Sequence, residues 1–491
     1  MRLFLFIFIY LHMWVSINSW KNFRLGRSYR GNIGVPAGAD DIQPPPEKWF
    51  SQKLDHFAPT DKRTWLQRFY INYNFYQKGG PIFLMIGGEG PADARWMIKG
   101  AWLEYAESVN ALCIMLEHRY YGKSYPLPDM SVKNLEYLSS RQALADLANF
   151  IGSMNQKYDF PADVKWIVFG GSYPGSMAAW MRLKYPHMVY AAVSSSGPLK
   201  AKMDFQEYYK VVVQAVHDKT GNNQCIDTMK LAHNDIAVWI NVQPDAIEKS
   251  FKLCKQLKNA TALDIKTFYN TIADDLAEVV QYNEDNRISV EEKYRNITIN
   301  TVCDMLTVPN FPPSSKLASF TNLMLERSKQ ECLDYSYDNM IEQLQSTTWT
   351  LDGGRQWFYQ TCTEFGFYQT SSGETEIFGN EFDLEYFVKQ CQDVFGPKFD
   401  KTFIEANVKD TNIYYGGTDI AATRVLYVQG SVDPWHALGL TATKDPESPV
   451  IYINGTAHCA NMYPSTSHDL PALQAARVAI RDQLNKWLET A

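Results

Sequence analysis

Ser172 is the residue of this sequence best placed to act as a nucleophile. It lies in the run Gly170-Gly171-Ser172-Tyr173-Pro174-Gly175, between the apolar segment 166–169 and a helical stretch at 176–184. A tight glycine turn between a strand and a helix exposes a serine hydroxyl above the sheet, and the helix points its first amides at a developing oxyanion. Because glycine and serine are also common loop residues, the prediction depends on both flanks together.

A nucleophilic serine needs a base, and the base needs a carboxylate that orients it. Asp433 follows the apolar segment 425–428, and His458 follows the segment 450–453, 25 residues after the aspartate. In α/β-hydrolases the chain order is serine, acid and histidine, with each residue placed after a strand. The order therefore predicts Asp433 as the orienting acid and His458 as the general base. The alternatives are an aspartate that only caps a turn and a histidine held in a core or loop.

Other histidines fit the role of the base less well. His436 lies three residues past Asp433, which is too near to follow a strand of its own. Glu117-His118-Arg119 also follows an apolar segment, but its mixed charges favour a structural ion-pair network. We therefore assign His118 no catalytic role.

Two loops are expected to supply the amides of an oxyanion hole. One amide belongs to Tyr173, and the other to Gly88 or Glu89 in the loop 87–90, which leaves the apolar segment 82–86 as the second oxyanion loop of lipases does. Glu89 and Trp435 are also assigned to substrate binding, where Glu89 would hold a substrate terminus. The alternative for Glu89 is a solvated loop carboxylate.

Composition and motifs exclude several other classes of function. The chain has 47 Lys and Arg against 54 Asp and Glu, a net charge of −7, and no basic block, so nucleic acid is not an expected partner. It has no H-E-x-x-H, CxxC, P-loop or post-strand G-x-G-x-x-G motif. No metal and no other cofactor is expected.

These residues need elements that position them, and the pattern predicts an α/β fold. Up to residue 197, short apolar segments rich in β-branched residues alternate with helical stretches, which is typical of a parallel sheet covered on both faces. Long polar helical stretches and six of the eight cysteines follow, and then the strand pattern returns. The sequence predicts an α/β-hydrolase domain at 48–197 and 411–491, interrupted by a helical cap domain at 198–410. A cap inserted there would roof Ser172.

The N-terminus and the cysteines indicate a secretory route. Arg2 precedes 14 uncharged residues at 3–16, fewer than the roughly 20 that span a bilayer as a helix. We expect a signal peptide at 1–19, a flexible leader or propeptide at 20–47, and no membrane span. Three N-glycosylation sequons agree with a secreted or a lysosomal/endosomal protein. They begin at Asn259, Asn296 and Asn454.

Further motifs resemble the serine carboxypeptidase family that includes lysosomal Pro-Xaa carboxypeptidase, dipeptidyl peptidase II and thymus-specific serine protease. The segments that carry the resemblance are 54–57, 87–90, 117–122, 141–146, 169–173, 185–187, 433–435 and His458. Three further segments resemble the thymus-specific branch: 178–180, 360–366 and 430–439. The likeness covers nearly everything from residue 49 onward.

The resemblance implies a capped α/β-hydrolase that cleaves peptides near proline. Trp435 and the aromatic run 357–359 are candidates for the walls of a proline pocket, or for core positions. A peptide is the expected substrate, and a homodimer is one candidate assembly. Spacing alone does not choose among the pairings of the six cap cysteines. The resemblance implies the pairs Cys225–Cys303, Cys254–Cys332 and Cys362–Cys391.

Two departures from the family pattern leave alternatives open. Pro174 replaces the usual Gly or Ala two residues after the nucleophile, and Ala457 precedes His458 where we associate a His-His pair with the proline exopeptidases. The alternatives to a peptidase are an esterase or lipase with the same triad, and a catalytically silent binding protein of the same fold.

Overall fold

The computed structural model describes residues 25, 33–36, 38–39, 42–284, 297–373 and 377–489. The predicted signal peptide at 1–19, most of the predicted leader at 20–47, and Asn296 lie outside the described residues. Among the described residues, no helix combines the length and the apolar character needed to cross a bilayer.

In the described part of the chain, ten strands form one large sheet and one small sheet. The strands are β1 (Lys48–Lys53), β2 (Thr64–Asn72), β3 (Ile82–Ile86), β4 (Leu112–Leu116), β5 (Trp166–Gly171), β6 (Ala191–Ser195), β7 (Lys202–Asp204), β8 (Gly366–Tyr368), β9 (Val425–Gly430) and β10 (Val450–Ile453). The eight-stranded sheet has the order β1-β2-β4-β3-β5-β6-β9-β10, and β7 pairs with β8. From β4 to β10 all neighbours are parallel, while β1 and β2 add an antiparallel edge. This is the predicted α/β-hydrolase fold.

The described helices either pack on the two faces of this sheet or belong to the chain between β6 and β9. They are α1 (Ala101–Ser108), α2 (Val132–Leu135), α3 (Ser140–Lys157), α4 (Tyr173–Lys184), α5 (Glu207–Thr220), α6 (Gln224–Val242), α7 (Pro244–Ser250), α8 (Ala262–Gln281), α9 (Ile299–Thr307), α10 (Pro313–Arg327), α11 (Tyr337–Gln345), α12 (Gly354–Gln360), α13 (Leu384–Phe395), α14 (Lys401–Tyr415) and α15 (Pro471–Glu489). Alternate strand residues face opposite sides. Phe83 and Met85 pack with α1 and α15, whereas Leu84 packs with α3 and α4.

The chain between β6 and β9, residues 196–424, is an insertion that is mostly helical. Its apolar core is continuous with the core under α3 and α4, so the insertion packs firmly on the sheet domain. Three disulfides close within it, joining Cys225 to Cys303, Cys254 to Cys332, and Cys362 to Cys391. This is the pairing that the resemblance implies. Cys113 and Cys459 are free and buried.

Buried ion pairs stabilise the loop after β4. Asp146 on α3 accepts hydrogen bonds of 2.6 Å from the Arg119 guanidinium and one of 2.7 Å from His56 Nε2. Glu117 pairs in the same way with Arg68 on β2. The structural ion-pair network expected at residues 117–119 is therefore present.

The buried pair of Asp146 and Arg119 predicts a large loss of stability when the Asp146 carboxylate is removed. Asp146→Ala leaves the buried Arg119 charge without a partner, which typically costs about 3–5 kcal/mol. We expect urea denaturation to show a decrease of that size in the free energy of unfolding. Asp410→Ala is the matched control, because Asp410 pairs with Arg141 at the surface and such pairs contribute about 1 kcal/mol or less. Equal losses in the two variants would contradict the prediction.

Candidate active site

Ser172 lies at the junction of β5 and α4, in a strained backbone conformation. Its φ is 65° and its ψ is −132°, a region that residues other than glycine rarely occupy. The Ser172 amide donates a 2.9 Å hydrogen bond to the Ser195 carbonyl at the end of β6. This strained turn between a strand and a helix has the geometry of a nucleophile elbow.

Close backbone contacts explain the glycines around Ser172. A Cβ at Gly170 would lie 2.0 Å from the Pro174 carbonyl oxygen, and a Cβ at Gly175 would lie 2.5 Å from the Ser195 carbonyl oxygen. A Cβ at Gly171 would meet the sulfur of Met462 at 2.1 Å. Each glycine therefore provides space for the turn.

Pro174 is accommodated by the loop after β3. It occupies the second position of α4, where its missing N–H would have had no intrahelical partner. A Cβ at position 88 would lie only 2.2 Å from Pro174 Cγ. The proline ring therefore occupies the space that a side chain at position 88 would need. The departure from the usual elbow sequence thus places Pro174 against the predicted oxyanion loop.

Asp433 and His458 form a fully buried pair. His458 Nδ1 lies 2.8 Å from Asp433 Oδ1, which also accepts the Trp435 amide at 3.0 Å. An ionised carboxylate only accepts hydrogen bonds, so Nδ1 carries a proton and Nε2 of the neutral ring has a free lone pair. His458 Nε2 is buried and has no hydrogen-bond partner among the described residues. Nε2 is therefore the nitrogen that can act as the base when the ring is neutral.

Two serines at the end of β6 join the loops that carry the three predicted residues. The Ser195 carbonyl accepts a hydrogen bond from the Ser172 amide. The Ser195 hydroxyl accepts one of 2.8 Å from the side-chain amide of Asn461. The Ser196 hydroxyl accepts the Cys459 amide at 2.9 Å, and the Ser196 amide donates to Val428 on β9. The nucleophile turn, the histidine loop and the acid strand thus meet at one point.

The electrostatics of His458 reflect two opposing effects. Burial lowers the pKa of the imidazole, but the adjacent Asp433 charge and its hydrogen bond outweigh burial. The pKa of His458 is therefore raised above its ordinary value of 6.5. Asp433 both orients the ring and stabilises its protonated form.

The Tyr173 side chain has a role that the sequence did not indicate. His118 Nδ1 donates to the Arg119 carbonyl at 2.6 Å, and burial lowers the pKa of His118 to about 4, so the neutral ring accepts at Nε2. The Tyr173 hydroxyl donates to that Nε2 at 3.1 Å and accepts the Gln360 amide at 3.2 Å. The residue after the nucleophile is thus held both by the sheet domain and by the insertion.

The other predicted site residues are distributed over several environments. Glu89 is 2% exposed, so it is not a solvated loop carboxylate. Trp435 is buried, with its ring centroid 5.2 Å from that of Phe367. Trp357 contacts the rings of Tyr173 and Phe367, whereas its neighbours at 358 and 359 pack on Phe395. The predicted aromatic set therefore divides into one part beside the elbow and one part in the core of the insertion.

The sequence of the chain is similar to those of a known protein family. The sequence model of the family described as "Serine carboxypeptidase S28" matches residues 52–480. A relative from Caenorhabditis elegans is 38% identical and covers 89% of this chain and 87% of its own length. Thymus-specific serine protease of Mus musculus is 34% identical, covering 96% and 92%. Lysosomal Pro-X carboxypeptidase of Mus musculus is 28% identical, covering 90% and 88%.

The contact between Gly88 and Pro174 predicts that the two positions depend on each other. Gly88→Ala pushes a methyl group into the proline ring and displaces the loop, so we expect kcat/KM for a small peptide to fall about 100-fold, the typical loss for one oxyanion donor. Gly88→Ala combined with Pro174→Gly removes the clash and regains part of the rate.

The control for this cycle is Gly152→Ala, because a Cβ at position 152 meets only Met188 Cε at 3.6 Å. This variant is expected to keep normal activity. A double variant no faster than Gly88→Ala alone would show that the two positions are independent.

The raised pKa of His458 predicts the pH dependence of the rate. A general base acts only when neutral, so acylation slows as the pH falls through the pKa of His458. We expect the acid limb of kcat/KM against pH to have its midpoint above 6.5. In Asp433→Asn the rate drops by about 10,000-fold, and the midpoint of the residual activity moves to lower pH because the stabilising charge is gone. An unchanged midpoint would refute this account.

Proposed function

Because the chain belongs to the serine carboxypeptidase S28 family, we propose that it hydrolyses peptide bonds with a triad of Ser172, Asp433 and His458. Membership confirms the resemblance seen in the motifs and makes the protein a serine-type peptidase. The observation that carries the triad is the buried 2.8 Å contact between His458 Nδ1 and Asp433 Oδ1, which leaves His458 Nε2 as the acceptor.

The reaction is acyl transfer in two steps. Ser172 Oγ attacks the carbonyl carbon of the scissile bond while His458 Nε2 takes the hydroxyl proton, and Asp433 stabilises the imidazolium. The amide of Tyr173, with that of Gly88 or Glu89, binds the oxyanion of the tetrahedral intermediate. His458 then gives its proton to the leaving amine. Water, activated by His458, hydrolyses the acyl-enzyme in the same manner.

Aromatic side chains near the elbow support a preference for proline. Trp357 contacts Tyr173, directly after the nucleophile, and Phe367 contacts both Trp357 and Trp435. Flat apolar rings of this kind suit a pyrrolidine ring, and a relative bears the name Pro-X carboxypeptidase. We assign the protein to short peptides with proline next to the scissile bond, since the insertion lies over the elbow and restricts folded chains.

The three disulfides agree with an oxidising compartment. We place the protein in the secretory pathway, either as a secreted or as a lysosomal enzyme. Asn259 and Asn454 are exposed, so both sequons are accessible to glycans.

The triad is tested by activity-based labelling and by kinetics. A fluorophosphonate should label the wild type and not Ser172→Ala. His458→Ala should lose at least about 10,000-fold in kcat, as expected for a base that acts together with its nucleophile. His187→Ala is the control, because His187 is exposed at the surface. Normal turnover by a folded His458→Ala variant would refute the triad, and an unlabelled wild type would favour a silent binding protein.

Substrate preference requires a second assay. We expect rapid cleavage of a short peptide that contains an internal proline, slow cleavage of the same peptide with alanine in its place, and little cutting of a denatured protein with many proline sites. A simple ester serves as the comparison for esterase activity. Efficient internal cutting of the long chain, with the short peptide intact, would contradict the proposed specificity.

A further inference from the structure

Gln281 connects the insertion to both loops that carry Asp433 and His458. It is the last residue of α8 and is fully buried. Its backbone carbonyl accepts the His458 amide at 3.0 Å, and its Oε1 accepts the indole N–H of Trp435, two residues after Asp433, at 2.9 Å. One side chain of the insertion therefore contacts the acid loop while its main chain contacts the base loop.

Both oxygen atoms of Gln281 are used as acceptors. Oε1 also receives the Tyr208 hydroxyl at 2.7 Å, so its two lone pairs are occupied. The backbone carbonyl belongs to the last turn of a 20-residue helix, where carbonyls have no intrahelical partner. The His458 amide supplies that partner, and Tyr282 places its ring 6.1 Å from the His458 ring.

The position of this helix end also has an electrostatic effect. The C-terminus of an α-helix carries a partial negative charge, which favours a nearby cation. His458 becomes an imidazolium when it takes the proton of Ser172. The end of α8 thus lies where positive charge develops during the reaction.

The sheet domain holds the loop that carries His458 from one side only. Ser195 and Ser196 at the end of β6 bind Asn461 and the Cys459 amide, while β10 is a four-residue edge strand with only one fully buried residue. The contacts from Gln281 fix the loop from the insertion side. The histidine loop is therefore held from the sheet side and from the insertion side.

We propose that Gln281 is a positioning residue of the catalytic centre, holding the acid loop and the base loop in register through its side-chain oxygen and its carbonyl. The proposal rests on the proposed triad. It makes the insertion a structural part of the active site in addition to its role in restricting access.

The test separates the acceptor oxygen from simple packing. Gln281→Met keeps the length of the side chain and removes Oε1, and Gln281→Glu keeps an accepting oxygen; the carbonyl bond to His458 is present in both. Gln356→Met is the matched control, since Gln356 is a buried glutamine of the insertion that donates to the Tyr120 carbonyl and not to the acid or base loop.

We expect Gln281→Met to lower kcat about 10- to 100-fold, the usual effect of losing a residue that orients a catalytic group, with KM unchanged. Gln281→Glu should regain most of kcat. Gln356→Met should lower the melting temperature as much as Gln281→Met but leave kcat unchanged.

Three results would overturn the proposal: wild-type kcat in a folded Gln281→Met, equal losses in Gln281→Met and Gln281→Glu, or an equal loss of kcat in Gln356→Met. Each presumes that the fluorophosphonate labels the wild type and not Ser172→Ala. Failure of that labelling would instead refute the proposed function.

Discussion

The buried contact between Asp433 and His458 is the constraint on which the surrounding structure depends. Removing a carboxylate and an imidazole from water is costly unless hydrogen bonds replace those to water, so a fully buried pair depends on a geometry that is held in place. Strands β9 and β10 bring the two residues together, the end of β6 anchors the histidine loop, and the last carbonyl of α8 accepts the His458 amide.

The turn at Ser172 accommodates Pro174 because a glycine far away in the sequence leaves room for its ring. Proline at position 174 would add bulk to any elbow, and here its ring faces Gly88, 86 residues earlier in the chain. Backbone hydrogen bonds on both sides hold the strained turn at Ser172: its amide donates to the Ser195 carbonyl, and its carbonyl accepts from the Ser176 amide. Backbone geometry and missing side chains, rather than motif identity, keep the turn intact.

Local sequence patterns predicted the central strands of the sheet but not the contacts between residues that are far apart in the sequence. Apolar segments located β3, β4, β5 and β9 because fully buried strands are continuous in hydrophobicity. The edge pair β1 and β2 was missed, since β1 is largely exposed and carries no apolar run. Gln281 could not be found either. Its partner at 435 is 154 residues away, and a buried glutamine at a helix end has no distinctive pattern.

The order of these elements along the chain has a consequence for biogenesis. The nucleophile turn is synthesised first, the disulfide-bonded insertion next, and the acid and base loops last. Ser195 and Ser196 are synthesised before their hydrogen-bond partners Asn461 and Cys459, which lie 266 and 263 residues further along the chain. Such non-local contacts form late in folding. With the proposed triad, a nascent chain therefore holds Ser172 before His458 has been synthesised, and hydrolytic activity can arise only after the loops behind β9 and β10 have folded onto the sheet.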